Sequence, residues 1–101
     1  MAPQSVKSQE LFVAAYRDGL GARAATTLPE ADLRAAALDV AARVEAEIAR
    51  LQAGGGLKSV NASYRQYRLE TTARGERVIR YADWMDRYKA DLIREIAENL
   101  R

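Results

Sequence analysis

SVNASYRQYRLETTARGERVIRY, residues 59–81, is the stretch whose reading decides the fold. As a helix it has Ser59 or Asn61 to cap its start, Val60, Tyr64 and Tyr67 on one face, and Gly75 at its end. Ala62, Arg65, Gln66, Arg68, Leu69 and Glu70 are good helix formers. As a hairpin, YRQYRLETT pairs with ERVIRY around a turn at Ala73 to Glu76, with Gly75 supplying the positive φ. Tyr64, Tyr67, Thr71, Thr72, Val78, Ile79 and Tyr81 are the residues that favour this pleated arrangement. The helical reading makes the chain mainly α, with two long amphipathic helices and one or two shorter ones. The alternative is helix, β-hairpin over residues 64–81, helix.

On the N-terminal side, TTLPEADLRAAALDVAARVEAEIARLQAGGG (26–56) is the clearest element in the chain, a long helix predicted over residues 28–53. Thr27 and Glu30 have the spacing of a capping box, Pro29 falls where a first-turn proline is tolerated, and Gly54 to Gly56 stop the helix and act as a connector. Leu33, Ala37, Val40, Val44, Ile48 and Leu51 recur at helical spacing and form one apolar stripe.

On the C-terminal side, YADWMDRYKADLIREIAENLR predicts a second long helix over 82–100. Trp84 or Met85, Tyr88, Leu92, Ile96 and Leu100 lie on one side of it. A short helix over Gln9 to Asp18 is expected near the start, capped by Ser8 and ended by Gly19 and Gly21. The 101 residues form one domain, since a chain of this length buries roughly two thirds of its unfolded surface.

Composition removes most chemistry. The chain has neither cysteine nor histidine, so there is no disulfide, no thiolate nucleophile, no imidazole base and no common zinc site. No metal, cofactor or small-molecule substrate is expected, and the chain is read as non-enzymatic. The N-terminus lacks the pattern of a signal peptide and no apolar run approaches a membrane span, so the expectation is a cytoplasmic protein without membrane contact. Net charge is only +2, but it is unevenly spread. Residues 58–80 carry six basic and two acidic side chains, between flanks of net charge −1 each.

That basic segment holds the candidate site residues: Lys58, Tyr64, Arg65, Tyr67, Arg68, Arg74, Arg77 and Arg80. Guanidinium groups pair with phosphates or carboxylates and phenol rings stack on bases, so the mixture suits nucleic acid. Arginine and tyrosine are also enriched where proteins meet, which makes a protein partner or self-association the competing expectation. The tyrosines could instead complete the core while the arginines stay solvated. The glycine run is no phosphate loop, because Leu57 separates it from Lys58 and Ser59 and a helix precedes it. Asp83 and Asp86 sit near Arg87 and Lys89 and read as a solvated helix surface.

GERVIRYADWMDRYKADLIREIAENL, Gly75 to Leu100 in the last third of the chain, resembles the final strand-to-helix part of the lambda-type phage head-tail joining proteins called W. In that family an alanine-rich helix leads through a two-stranded hairpin with a glycine-arginine turn into a closing helix. The alanine-rich helix ending at Gly54, and Gly75 followed by Arg77 and Val78, keep that order. The segment between Gly56 and Gly75 is longer than such a hairpin needs, and residues 1–25 have no counterpart. The resemblance implies a virion assembly role, with helices packing protein to protein in a ring and positive charge turned toward DNA. The leading expectation is therefore an interaction or assembly protein of phage or mobile-element type, located in the cytoplasm or the virion and docking through residues 58–80. The alternative is a small DNA- or RNA-binding protein using the same arginines on phosphates.

Overall fold

The computed structural model describes residues 6–55 and 58–100, apart from the side chains of residues 58 and 59. Five helices make up the described chain: α1 (Val6–Leu20), α2 (Ala22–Thr27), α3 (Glu30–Ala53), α4 (Lys58–Ala73) and α5 (Tyr81–Glu98). The stretch that opened two possibilities is thus helical over 58–73. Residues 74–80 run without regular structure into α5, and no strand occurs among the described residues.

The physical reason lies in the turn after α4. Gly75 adopts φ +73°, its N–H reaches the Thr72 carbonyl at 3.0 Å, and the Glu76 N–H reaches the Thr71 carbonyl at 3.0 Å. These bonds are a Schellman ending, which satisfies the last helical carbonyls and sends the chain away from the helix axis. The positive φ that a hairpin would have used is spent on ending a helix.

The core is built by α1, α3 and α5, whose backbones approach one another closely. Phe12, Leu33 and Ile93, one from each helix, are its most buried large side chains. The predicted α3 stripe is the one that packs, with Leu33, Ala37, Val40, Val44 and Ile48 buried and Leu51 half-buried. Ala41 joins it.

The α5 stripe is rotated from its predicted position. Met85, Ala90, Ile93 and Ala97 are buried, Trp84, Tyr88 and Leu92 are half-buried, and Ile96 and Leu100 are exposed. Alanines take the innermost places because α1 comes close at Gly19. A Cβ at Gly19 would stand 2.4 Å from the Arg94 carbonyl oxygen and 2.7 Å from the Ala97 Cβ. Gly19 is therefore a packing residue inside α1 and not its terminator. Gly21, at φ +85°, separates α1 from the unanticipated short helix α2.

Three predicted caps are also corrected, the first being Ser59 or Asn61, both of which lie inside α4 because it begins at Lys58. Ser8 lies within α1, where its hydroxyl donates to Asp86 Oδ2 of α5 at 2.8 Å. Thr27 ends α2 and donates to the Ala24 carbonyl at 2.8 Å, so it cannot cap α3. That helix starts at Glu30 behind Pro29, two residues later than predicted, and Glu30 pairs with Arg17 of α1.

Ion pairs tie the three core helices together. Arg34 meets Glu10 at 2.8 Å, Arg94 meets Asp18 at 3.1 Å, and the largely buried Lys89 meets Glu45 at 3.1 Å. Arg94 also reaches Asp91 within α5 at 3.0 Å.

Candidate functional site: the outer face of α4 and its connector

The site grows out of how α4 is held. Val60, Tyr64, Tyr67 and Thr71 recur at helical spacing and form its inner stripe, with Val60 and Thr71 buried and the two tyrosines half-buried. Tyr64 and Tyr67 meet Trp84 of α5 at ring-centroid distances of 5.2 and 6.5 Å. Tyr81 stands edge-on to Tyr64 at 5.0 Å, and Tyr88 stacks on Trp84 at 5.5 Å. Five rings form one cluster in geometries that suit aromatic quadrupoles.

The hydroxyls of that cluster fasten the connector. Tyr64 donates to the Ile79 carbonyl at 2.9 Å, and the Ile79 N–H donates to the Tyr67 oxygen at 3.2 Å. Tyr81 donates to Asn61 Oδ1 at 3.0 Å. One residue of an irregular segment thus has both backbone polar groups satisfied by side chains of α4. Tyr64 and Tyr67, two of the predicted site residues, are committed to the fold. Their rings pack on Trp84 and their hydroxyls hold Ile79, while each ring keeps part of its surface exposed.

The predicted arginines divide. Arg74 is engaged by Glu76 at 2.9 Å. Arg65, Arg68, Arg77 and Arg80 are exposed and make no ion pair among the described residues. The predicted contribution of Lys58 cannot be assigned to this surface, since its side chain lies outside the described residues. Most cations of the core helices, by contrast, are paired. Arg43 has Asp39 at 3.0 Å and Arg50 has Glu47, whose carboxyl is held below its usual pKa by the hydrogen bond from Arg50.

Two contributors escaped the sequence reading. Leu69 lies on the side of α4 opposite the inner stripe and is 64% exposed, a large apolar side chain left in water. With Arg65, Arg68, Thr72 and Ala73 it lines a surface depression. Its position could have been found from the helical reading, since it falls half a turn away from Tyr64, Tyr67 and Thr71. Arg87 of α5, set aside as part of a solvated face, lines a separate depression with Tyr67, Trp84, Tyr88 and Asp91 beside the aromatic cluster and makes no ion pair among the described residues.

An open depression of about 700 Å³ between α1 and α2 is lined mainly by alanines, Thr26, Leu28 and the paired Arg17 and Glu30. No group of three potential metal ligands gathers among the described residues. No described helix is long and apolar enough to cross a membrane. No protein-family model matches the chain, and no match was found among curated proteins or solved structures.

Proposed function

We propose that this chain is a non-enzymatic interaction protein that docks onto another protein through the outer face of α4 and the connector behind it. The observation that carries the proposal is the setting of Leu69, an exposed apolar side chain flanked on its helix by Arg65 and Arg68. An apolar centre with a cationic rim is the anatomy of a protein interface, where a few central side chains carry most of the affinity and arginine is over-represented. The aromatic cluster beneath keeps this face rigid, which lowers the ordering cost of docking. The more specific form, a virion assembly protein of the head-tail joining kind, draws on the resemblance of Gly75–Leu100 and, loosely, of the alanine-rich helix before it.

The second reading, a nucleic-acid binder, is favoured by the four arginines without an ion pair. Contacts to phosphate are its main component, because Tyr64 and Tyr67 are half-buried with their rings against Trp84 and offer bases only their remaining exposed surface. Salt separates the two. Four phosphate contacts predict a log-log slope of roughly −3.6 for binding to double-stranded DNA, at about −0.9 per contact. An apolar-centred protein interface predicts a shallow slope and strong dependence on Leu69. Capture from the native source at graded salt, with the native chain beside Leu69→Glu, is the test. Loss of capture with Leu69→Glu is expected. Equal capture by both, with the steep slope, would transfer the site to nucleic acid.

A further inference from the structure

A second apolar surface lies between the C-terminal halves of α3 and α5. Val44, Ile48 and Leu51 of α3 face Leu92 and Ile96 of α5 across a groove of about 320 Å³, with Val60 and Tyr88 also lining it. Ile96 is 39% exposed. Glu47, Glu95, Arg43 and Asn99 also line the groove. Arg43 is neutralised by Asp39, and Glu47 shares its charge with Arg50. Glu95 makes no ion pair among the described residues, and neither does the neighbouring Glu98 one turn further on. The groove therefore pairs an apolar floor with unneutralised carboxylates beside it.

The outer face of α4 is its complement in both respects. Leu69 offers one apolar side chain at the centre, Ala73 keeps the helix surface low one turn on, and positive charge comes from Arg65 one turn before it and from the adjacent Arg68. A helix laid in an apolar groove and read through residues three and four apart is a recurrent mode of recognition. Resting on the docking reading above, we infer that the occupant of the groove is α4 of a second copy of this chain. Its Leu69 enters between Ile48, Leu92 and Ile96, and its Arg65 or Arg68 meets Glu95. The two surfaces lie on different parts of the molecule, so each copy carries one of each. One helix face is smaller than the ~800 Å² per partner of a standard interface, which places this contact among the weak, transient associations.

Sedimentation equilibrium of the full chain from about 1 to 500 μM tests this, with circular dichroism to verify that each variant keeps its helices. The native chain is expected to rise from the mass of one copy toward two or more. Leu69→Glu and Ile96→Glu, both at exposed positions, should each weaken association by roughly 30-fold, as loss of a central anchor does. An equimolar mixture of the two variants should associate again, because one brings an intact groove and the other an intact α4. Arg65→Glu combined with Glu95→Arg should associate more tightly than either alone.

A native chain at the mass of one copy across the series overturns the inference. So does an Ile96→Glu chain that associates normally, or a variant mixture that stays apart. If the native chain is monomeric while Leu69→Glu still abolishes capture of a different protein, the second copy is excluded and the docking reading stands. If Leu69→Glu leaves both association and capture unchanged, both fail.

Discussion

The crossing of α1 on α5 and the seating of α4 on α5 are built from opposite materials. At the first, Gly19, Ala90 and Ala97 let two backbones come together, and Ser8, Asp18, Asp86 and Arg94 bind across the contact. At the second, large rings from Tyr64, Tyr67, Tyr81, Trp84 and Tyr88 hold α4 at a distance, and no ion pair joins α4 to another helix among the described residues. The difference teaches where the molecule uses its charge. In the three-helix core, cations are largely consumed in stitching helices together. On α4 and its connector, rings and hydroxyls do the holding, which leaves four arginines and Leu69 directed at solvent.

Substitution can break that contrast at either end. The largest effect is expected from Gly19→Val. Its side chain must displace the Arg94 carbonyl, which is backbone and cannot step aside, so a loss of about 3 kcal/mol or more is expected in urea denaturation. A loss under 1 kcal/mol would show that α1 and α5 can separate at little cost. Trp84→Ala removes the ring on which the α4 tyrosines rest. Because Trp84 is only half-buried, the expected loss is about 2 to 3 kcal/mol, below that for a fully buried ring.

Smaller effects sharpen the picture of α4. Tyr64→Phe keeps the ring and removes the bond to Ile79, which should cost about 1 kcal/mol and speed hydrogen exchange in residues 76–80. Thr71 is buried with its hydroxyl lacking a hydrogen-bond partner among the described residues. Thr71→Val keeps the shape and removes the unsatisfied group, so the free energy of unfolding should rise by about 1 kcal/mol. A destabilised Thr71→Val would reveal a partner for that hydroxyl. Smallest of all, glutamine at Arg65, Arg68, Arg77 and Arg80 should change stability by no more than about 0.5 kcal/mol per site, the range for unengaged surface positions. A larger loss would mean that these arginines serve the fold.

Much of the helical content was legible in the sequence because periodicity reports directly on burial. The α3 stripe from Leu33 to Ile48 packs as the spacing indicates, and α4 appears over most of the range that the helical reading of residues 59–75 required. What misled were signals that several structures share. Gly19 carries the mark of a helix end, but its lack of a side chain serves a close crossing with Arg94 and Ala97, which are remote from it in the sequence. Thr27 and Glu30 have the spacing of a capping box, yet α2 claims Thr27 first. Tyr64 and Tyr67 alternate with arginines as in a nucleic-acid segment, and only the position of Trp84 reveals that their rings also pack against α5. Leu69 was legible only once α4 was known to be a helix, since in a hairpin it would belong to a different face.

The account rests on the outer face of α4 being a docking surface with Leu69 at its centre. The most direct measurement is the affinity of the native chain and of Leu69→Glu for the protein captured from the native source, both followed by circular dichroism. The account predicts affinity at least about 30-fold lower for Leu69→Glu, with the helices intact. Equal affinity in a folded Leu69→Glu chain would contradict it.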